Sequence, residues 1–143
     1  MMPERQVLSV VRAQEDAMAK GDARATIDAM DAAVVIFDLP PPLAYRGEQA
    51  RDIEGIDAWF ATWRDGVTVH MADPQFMIDG DLAVAFGLSR MTGTKTDGTK
   101  VDSWSRRTIV LRRAAGSWKI VHEHASFPMA MDGSGRAVTD LLP

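Results

Sequence analysis

Up to about residue 63 the apolar residues recur at helical spacing, with one β-rich interruption, and from Val67 onward they alternate as in strands. Val7, Leu8, Val11, Gln14, Ala17 and Met18 share one face of a helix predicted over Pro3 to Lys20. Pro3 suits its first turn, Glu4 the positive end of its dipole, and Gly21 stops it. Asp22 is placed to cap a second helix, Ala23 to about Met30. Ala33 to Asp38 reads as a strand, closed by Leu39 and by Pro40, Pro41 and Pro42, which cannot continue a central strand. A third helix is expected from about Glu48 to Trp63, with Ile53, Ile56, Phe60 and Trp63 on its apolar face.

Three turn signals punctuate the second half: Asp79-Gly80-Asp81, Asp97-Gly98-Thr99 and Ala115-Gly116-Ser117. Glycine between β-rich runs is a hairpin signal because it accepts positive φ at little cost. Four antiparallel strands are expected, at about 67–78, 82–95, 100–113 and 117–127. Strands this long twist, and a sheet of them curls. The fold class is therefore α+β: about three N-terminal helices packed on a curved, mostly antiparallel sheet, a cone with a pocket at its wide end. Residues 1–127 form this domain. Residues 128–143 read as a turn-rich, poorly ordered tail unless Leu141 and Leu142 dock.

Composition narrows the function. The chain has 143 residues, 46% hydrophobic, 25% charged, with a net charge of −4 and no cysteine. The size suits one domain with a real core. Mild acidity argues against a nucleic-acid partner, and the basic pairs Arg106-Arg107 and Arg112-Arg113 fall inside a strand. Disulfides, thiolate metal sites and cysteine nucleophiles are excluded. The opening residues lack the order of a signal peptide, and no apolar run approaches the roughly 20 residues of a membrane helix. The expectation is a soluble cytoplasmic domain with no membrane partner.

Alternation sorts the candidate chemistry by face. In the last strand Trp118, Ile120, His122, His124 and Ser126 fall together, with Val121, Ala125 and Phe127 opposite. In the strand before it Asp102, Trp104, Arg106, Thr108 and Val110 align. Both faces are mixed, as in a sheet with a pocket on one side and a subunit partner on the other. His122 and His124 suit acid–base or polar ligand contact, metal ligation, or a structural pair beside Trp118. An inward Arg106 would anchor a carboxylate or enolate, or pair with Asp102 or Asp38. Arg107 is expected to point the other way, toward the surface or an interface. Asp38, between Phe37 and Leu39, is either a base of raised pKa at the cone mouth or a turn former. Tyr45 either caps the core or reaches a ligand.

Several of these segments are similar to the SnoaL-like and ketosteroid-isomerase-like branch of the NTF2-like superfamily. They are Phe37-Asp38, Pro41-Pro42-Leu43, Tyr45-Arg46-Gly47, Asp79-Gly80-Asp81-Leu82-Ala83 and Trp104-Ser105-Arg106-Arg107-Thr108. The run from Gly116 through Trp118, His122 and His124 to Ser126 belongs with them. The resemblance covers the first helix to about Phe127. It implies a helix-lidded conical sheet and a homodimer through the outer sheet face. Ketosteroid isomerase uses an Asp base with a Tyr and a protonated Asp as oxyanion donors. Asp38 resembles the base, but the oxyanion positions fall near Gln14 and Thr108, which are weaker acids. The resemblance leaves two readings open. One is a cofactor-free isomerase, cyclase or dehydratase, with no metal, acting on a small apolar or carbonyl-containing ligand. In it Asp38 is the base, Arg106 with His122 or His124 stabilises an enolate, and Trp104 and Trp118 wall the pocket. The other is a non-catalytic ligand-binding or association domain, like kinase association domains.

Overall fold

A computed structural model describes residues 2–143. Helix α1 (Pro3–Ala19) carries Val7, Val11 and Ala17 inward, and Asp22 caps α2 (Ala23–Asp28) by accepting from the Ala25 amide at 3.0 Å. Strand β1 (Met30–Phe37) begins earlier than the β-rich run suggests. The two-residue β2 (Tyr45–Arg46) comes after the proline loop, and a 3₁₀ turn, Gly47–Gln49, precedes α3 (Ile53–Phe60).

The third helix is thus shorter than its apolar periodicity predicts. Thr62 ends it: its hydroxyl donates back to the Trp59 carbonyl at 2.6 Å and accepts from Lys95 Nζ at 2.9 Å. The Thr62 carbonyl accepts from the Thr96 amide at 3.0 Å. Trp63 therefore opens the sheet rather than closing the helix. The four long strands are β3 (Trp63–Asp79), β4 (Leu82–Lys95), β5 (Lys100–Ala114) and β6 (Ser117–Ser126). Gly80, Gly98 and Gly116 turn between them at positive φ, the conformation that makes glycine a hairpin signal.

The six strands form one sheet in the order β2-β1-β6-β5-β4-β3, in which β1 and β6 run parallel and all other neighbours antiparallel. Two bulges set which residues reach the cone interior. Asp73, at φ 43°, and Pro74 interrupt β3, and Val121 is the extra residue in β6 between the pairs Leu111–Ile120 and Val110–His122. Each bulge reverses which side chains face inward. Inward in β3 are Met71 before the bulge and Phe76 and Ile78 after it.

The core fills the end of the cone near the Gly80 and Gly116 turns. Val7 and Val11 of α1 meet Val34, Ala83, Ala85, Ile109, Leu111 and Ile120 there, all essentially inaccessible. Burial of Ile109 or Leu111 contributes about 2 kcal/mol each. Helix α1 is clamped to β3 by buried Glu15, which accepts from the Met71 amide at 2.7 Å and from Arg12 at 2.6 Å. In the tail Met129 bridges Ala137, and Leu141 and Leu142 are 51% and 82% accessible. Among the described residues no helix is long and apolar enough to cross a membrane.

Candidate functional site

Toward the other end of the cone the inward residues shrink and turn polar. Along β5, Leu111 and Ile109 are core, whereas Arg107, Ser105 and Ser103 line a cavity of about 650 Å³. Its sheet side continues through Ser89 and Met91 of β4 and Glu123 and Ala125 of β6. Its other side is closed by Gln14 and Met18 of α1, and by Ile56, Trp59 and Phe60 of α3. The volume lies within the range of small-molecule sites.

Arg107 occupies the step between core and cavity, with its side chain 6% exposed. Its Nε donates to Glu123 Oε1, and its Nη2 donates to Gln14 Oε1 at 3.1 Å. Gln14 is held in turn by donating to the Thr26 carbonyl at 3.2 Å. Among the described residues Nη1 of Arg107 has no hydrogen-bond partner. Burial works against the guanidinium charge, but Glu123, Glu15 and Asp38 together outweigh it and hold its pKa above the usual value.

Asp38 obeys the alternation of β1: Val34 and Ile36 point inward, Phe37 outward, and Asp38 inward again at the cavity lining. Its carboxylate keeps contact with solvent at the mouth, yet the protein packed around it removes enough water to raise its pKa. The Leu39 amide, donating at 2.8 Å, opposes that rise; Glu123 adds to it and Arg107 counters it. Tyr45 also lines the cavity, its hydroxyl donating to the Pro41 carbonyl at 3.1 Å.

The remaining candidates lie elsewhere. Arg106 is on the outer face, where its Nε donates to Ser126 Oγ at 3.2 Å, so the inward expectation for Arg106 and the outward one for Arg107 are exchanged. The bulky, fully buried Ile109 and Leu111 decide which face of β5 turns in. His122 and His124 also face outward, because the bulge at Val121 breaks the alternation that joins them to Trp118 and Ile120. His122 Nδ1 meets the Val35 carbonyl at 2.6 Å, and Phe37 packs edge-on against both imidazoles, at 4.8 and 5.4 Å between centroids. Trp104 lies outside under Arg90, which pairs with Asp102 at 2.7 Å. Thr108 is outside as well. Trp118 is a core residue, its Nε1 donating to Gln6 at 3.1 Å, and it does not reach the cavity. Of the two oxyanion positions that the isomerase resemblance indicates, Gln14 is in the cavity and Thr108 is not.

Sequence reasoning missed Glu123, Arg107 and the serines Ser89, Ser103 and Ser105. Ser103 and Ser105 share the face of Ile109 and Leu111, a signal that alternation could have used. Among the described residues no three His, Asp or Glu side chains gather in a metal-holding group.

The SnoaL-like domain model matches residues 7–130. The chain belongs to the SnoaL-like family. Among solved structures, this SnoaL-like chain is similar to an NTF2-like protein of unknown function from Pseudomonas putida KT2440. The two are 23% identical, covering 100% of this chain and 99% of that one, with a TM-score of 0.84. It is also similar to a proposed dehydratase of the NTF2-like family from Streptomyces avermitilis, at 20% identity over 89% of this chain and 97% of that one, TM-score 0.74. A third is a proposed calcium/calmodulin-dependent protein kinase II association domain from Xanthomonas campestris, at 23% identity over 93% and 91% of the two chains, TM-score 0.74. No curated protein matches the chain. At these identities the likenesses show the NTF2-like fold alone.

Proposed function

We propose that this SnoaL-like protein is a cofactor-free isomerase, cyclase or dehydratase acting on a small carbonyl compound, with Asp38 as the base. The observation that carries this reading is the placement of Asp38 and a buried, incompletely paired Arg107 on one cavity. Asp38 takes a proton from the carbon α to the carbonyl, and the C–H electron pair becomes the C=C bond of an enolate as the carbonyl π pair moves onto oxygen. The Arg107 guanidinium, rather than Arg106 or the histidines, supplies the positive field for that oxygen. A preorganised donor of this kind is worth about 3 kcal/mol in a water-poor site. Return of that proton from Asp38 to the γ-carbon of a conjugated enolate isomerises the substrate; its transfer to a β-hydroxyl, as the enolate reforms the carbonyl and the C–O pair leaves with the oxygen, releases water and dehydrates it. The raised pKa of Asp38 suits a base that works on weakly acidic C–H bonds near neutrality. The test is deuterium uptake at the α-carbon of a panel of neutral ketones, monitored by mass spectrometry. Uptake should vanish in Asp38→Asn; unchanged uptake in that variant removes Asp38 from the mechanism.

The outer sheet face supports a second reading, an association domain that pairs with another copy of itself. Met77, Leu82 and Leu88 stand exposed there, 62%, 44% and 40% accessible. Multi-angle light scattering should then give a dimer that Leu88→Glu splits; a monomeric wild-type protein overturns this reading.

A further inference from the structure

The two sides of the cavity differ in chemistry. On the sheet side Ser89 of β4 lies directly across from Ser105 of β5, and Ser103 and Arg107 flank Ser105 on the same face. Ser89 is buried, and among the described residues neither its Oγ nor Nη1 of Arg107 has a hydrogen-bond partner. On the helix side Met18, Ile56, Trp59 and Phe60 present apolar surface. Buried donors left unpaired cost stability, and a ligand oxygen that meets them offsets the cost. Neither atom is open to water, so contact with a ligand oxygen requires a turn of the Ser89 hydroxyl about χ1 and a small shift of the guanidinium.

Charge narrows the ligand further. The ionisable side chains that line the cavity are Asp38, Asp52, Glu123 and Arg107, three acidic and one basic, and the basic one is already paired with Glu123. A carboxylate or phosphate on the ligand would meet like charge with no free cation to compensate it. A carbonyl or hydroxyl oxygen carries no such penalty.

We propose that the cavity selects an uncharged, flat, ring-bearing ligand that turns an oxygen-bearing edge toward Ser89, Ser105 and Arg107 and an apolar face toward Trp59 and Phe60. This names the substrate class of the site proposed above and rests on the reading that its ligand is a carbonyl compound. The helix-side aromatics supply stacking surface, and the serines fix which edge points inward.

Calorimetric titration with three probes on one ring frame, methyl naphthyl ketone, ethylnaphthalene and naphthoate, separates these contributions. The ketone should bind about tenfold more tightly than ethylnaphthalene, the increment of one or two well-placed hydrogen bonds. Naphthoate, a carboxylate anion at neutral pH, should bind more weakly than either. Ser89→Ala should weaken the ketone by about threefold or more and leave ethylnaphthalene unchanged. The thermal midpoint of that variant should hold or rise, because it loses an unpaired buried hydroxyl. Equal binding of ketone and ethylnaphthalene overturns the proposal. So do preferred binding of naphthoate, equal weakening of both neutral probes by Ser89→Ala, and no binding of any probe at about millimolar concentration. Deuterium exchange into the ketone methyl group, read by NMR on the same samples, reports on Asp38 instead. Asp38-dependent exchange without discrimination among the probes overturns the oxygen subsite and leaves the base in place. Discrimination without exchange does the reverse.

Discussion

Replacing Glu123 with Gln removes one charge from the site while keeping the side chain's shape. The consequence can be worked from the burial of the pair. Arg107 and Glu123 are 6% and 14% exposed, so the guanidinium left behind has little water to turn to. Breaking a buried pair by removing one partner typically costs about 3–5 kcal/mol. Two features of this site pull the expected loss to the low end. Glutamine keeps a carbonyl oxygen where Nε donates, and Asp38 and Glu15 still act on the Arg107 charge. We expect a loss of about 3 kcal/mol, or roughly 10 °C in unfolding midpoint for a domain of this size.

Urea unfolding monitored by tryptophan fluorescence measures the loss directly, as a lower midpoint at unchanged slope. The double variant Arg107→Met/Glu123→Met should recover most of it, because an apolar pair of similar volume carries no buried charge. A loss below about 1 kcal/mol for Glu123→Gln would mean that water reaches Arg107 through the cavity mouth. The account of Arg107 as a desolvated cation would then be refuted.

Asp38→Asn should raise stability at neutral pH. The folded-state pKa of Asp38 is raised, so its contribution is fully present below the unfolded-state value, near 3.8, and is lost as pH rises through the folded-state value. Midpoints of wild type and variant should therefore converge in acid and separate toward neutrality, with the variant higher; a constant difference across pH contradicts the assignment. Arg106→Gln and His124→Ala, on the outer face, should leave ketone binding to the cavity within about twofold of wild type by the same titration. Gly93→Ala should destabilise the fold by about 1–3 kcal/mol in thermal unfolding, since overpacking forces neighbours to shift. A Cβ at Gly93 would stand 2.7 Å from the Trp63 ring, which is also covered by Lys95 Nζ at 3.7 Å from its centroid.

The fold is legible in the sequence because its signals are local. Asp22 before a helix, glycines at 80, 98 and 116, and the prolines after Asp38 each act within a few residues, and each sits where its chemistry requires. Asp38 reaches the cavity for the same reason: simple alternation, with no bulge between, carries it inward with buried Val34 and Ile36. The third helix misleads because Trp63 fits its apolar face equally well, and only the distant partners Lys95 and Thr96 draw Thr62 and Trp63 into the sheet.

The site proper depends on parity, and parity is a cumulative property that a single extra residue reverses. Before Val121 the inward residues of β6 are Trp118 and Ile120; after it they are Glu123 and Ala125. Alternation carried through that point sends the histidines inward and the glutamate outward. In β5 no bulge intervenes, and the choice lies between two mixed faces. Trp104 favours one, but an indole covers an exposed strand as readily as it fills a core, here with Arg90 over it. Ile109 and Leu111 favour the other, and two aliphatic side chains with no polar atom to present are the stricter test. Once they turn inward, Arg107 must turn inward with them, and a buried guanidinium requires a carboxylate nearby. On the neighbouring antiparallel strand the carboxylate within reach is Glu123, which faces inward together with Trp118 only if one residue between them is bulged. The demand of one buried charge for its partner thus implies the bulge, and with it the outward turn of His122 and His124, more firmly than any alternation rule applied to β6 alone.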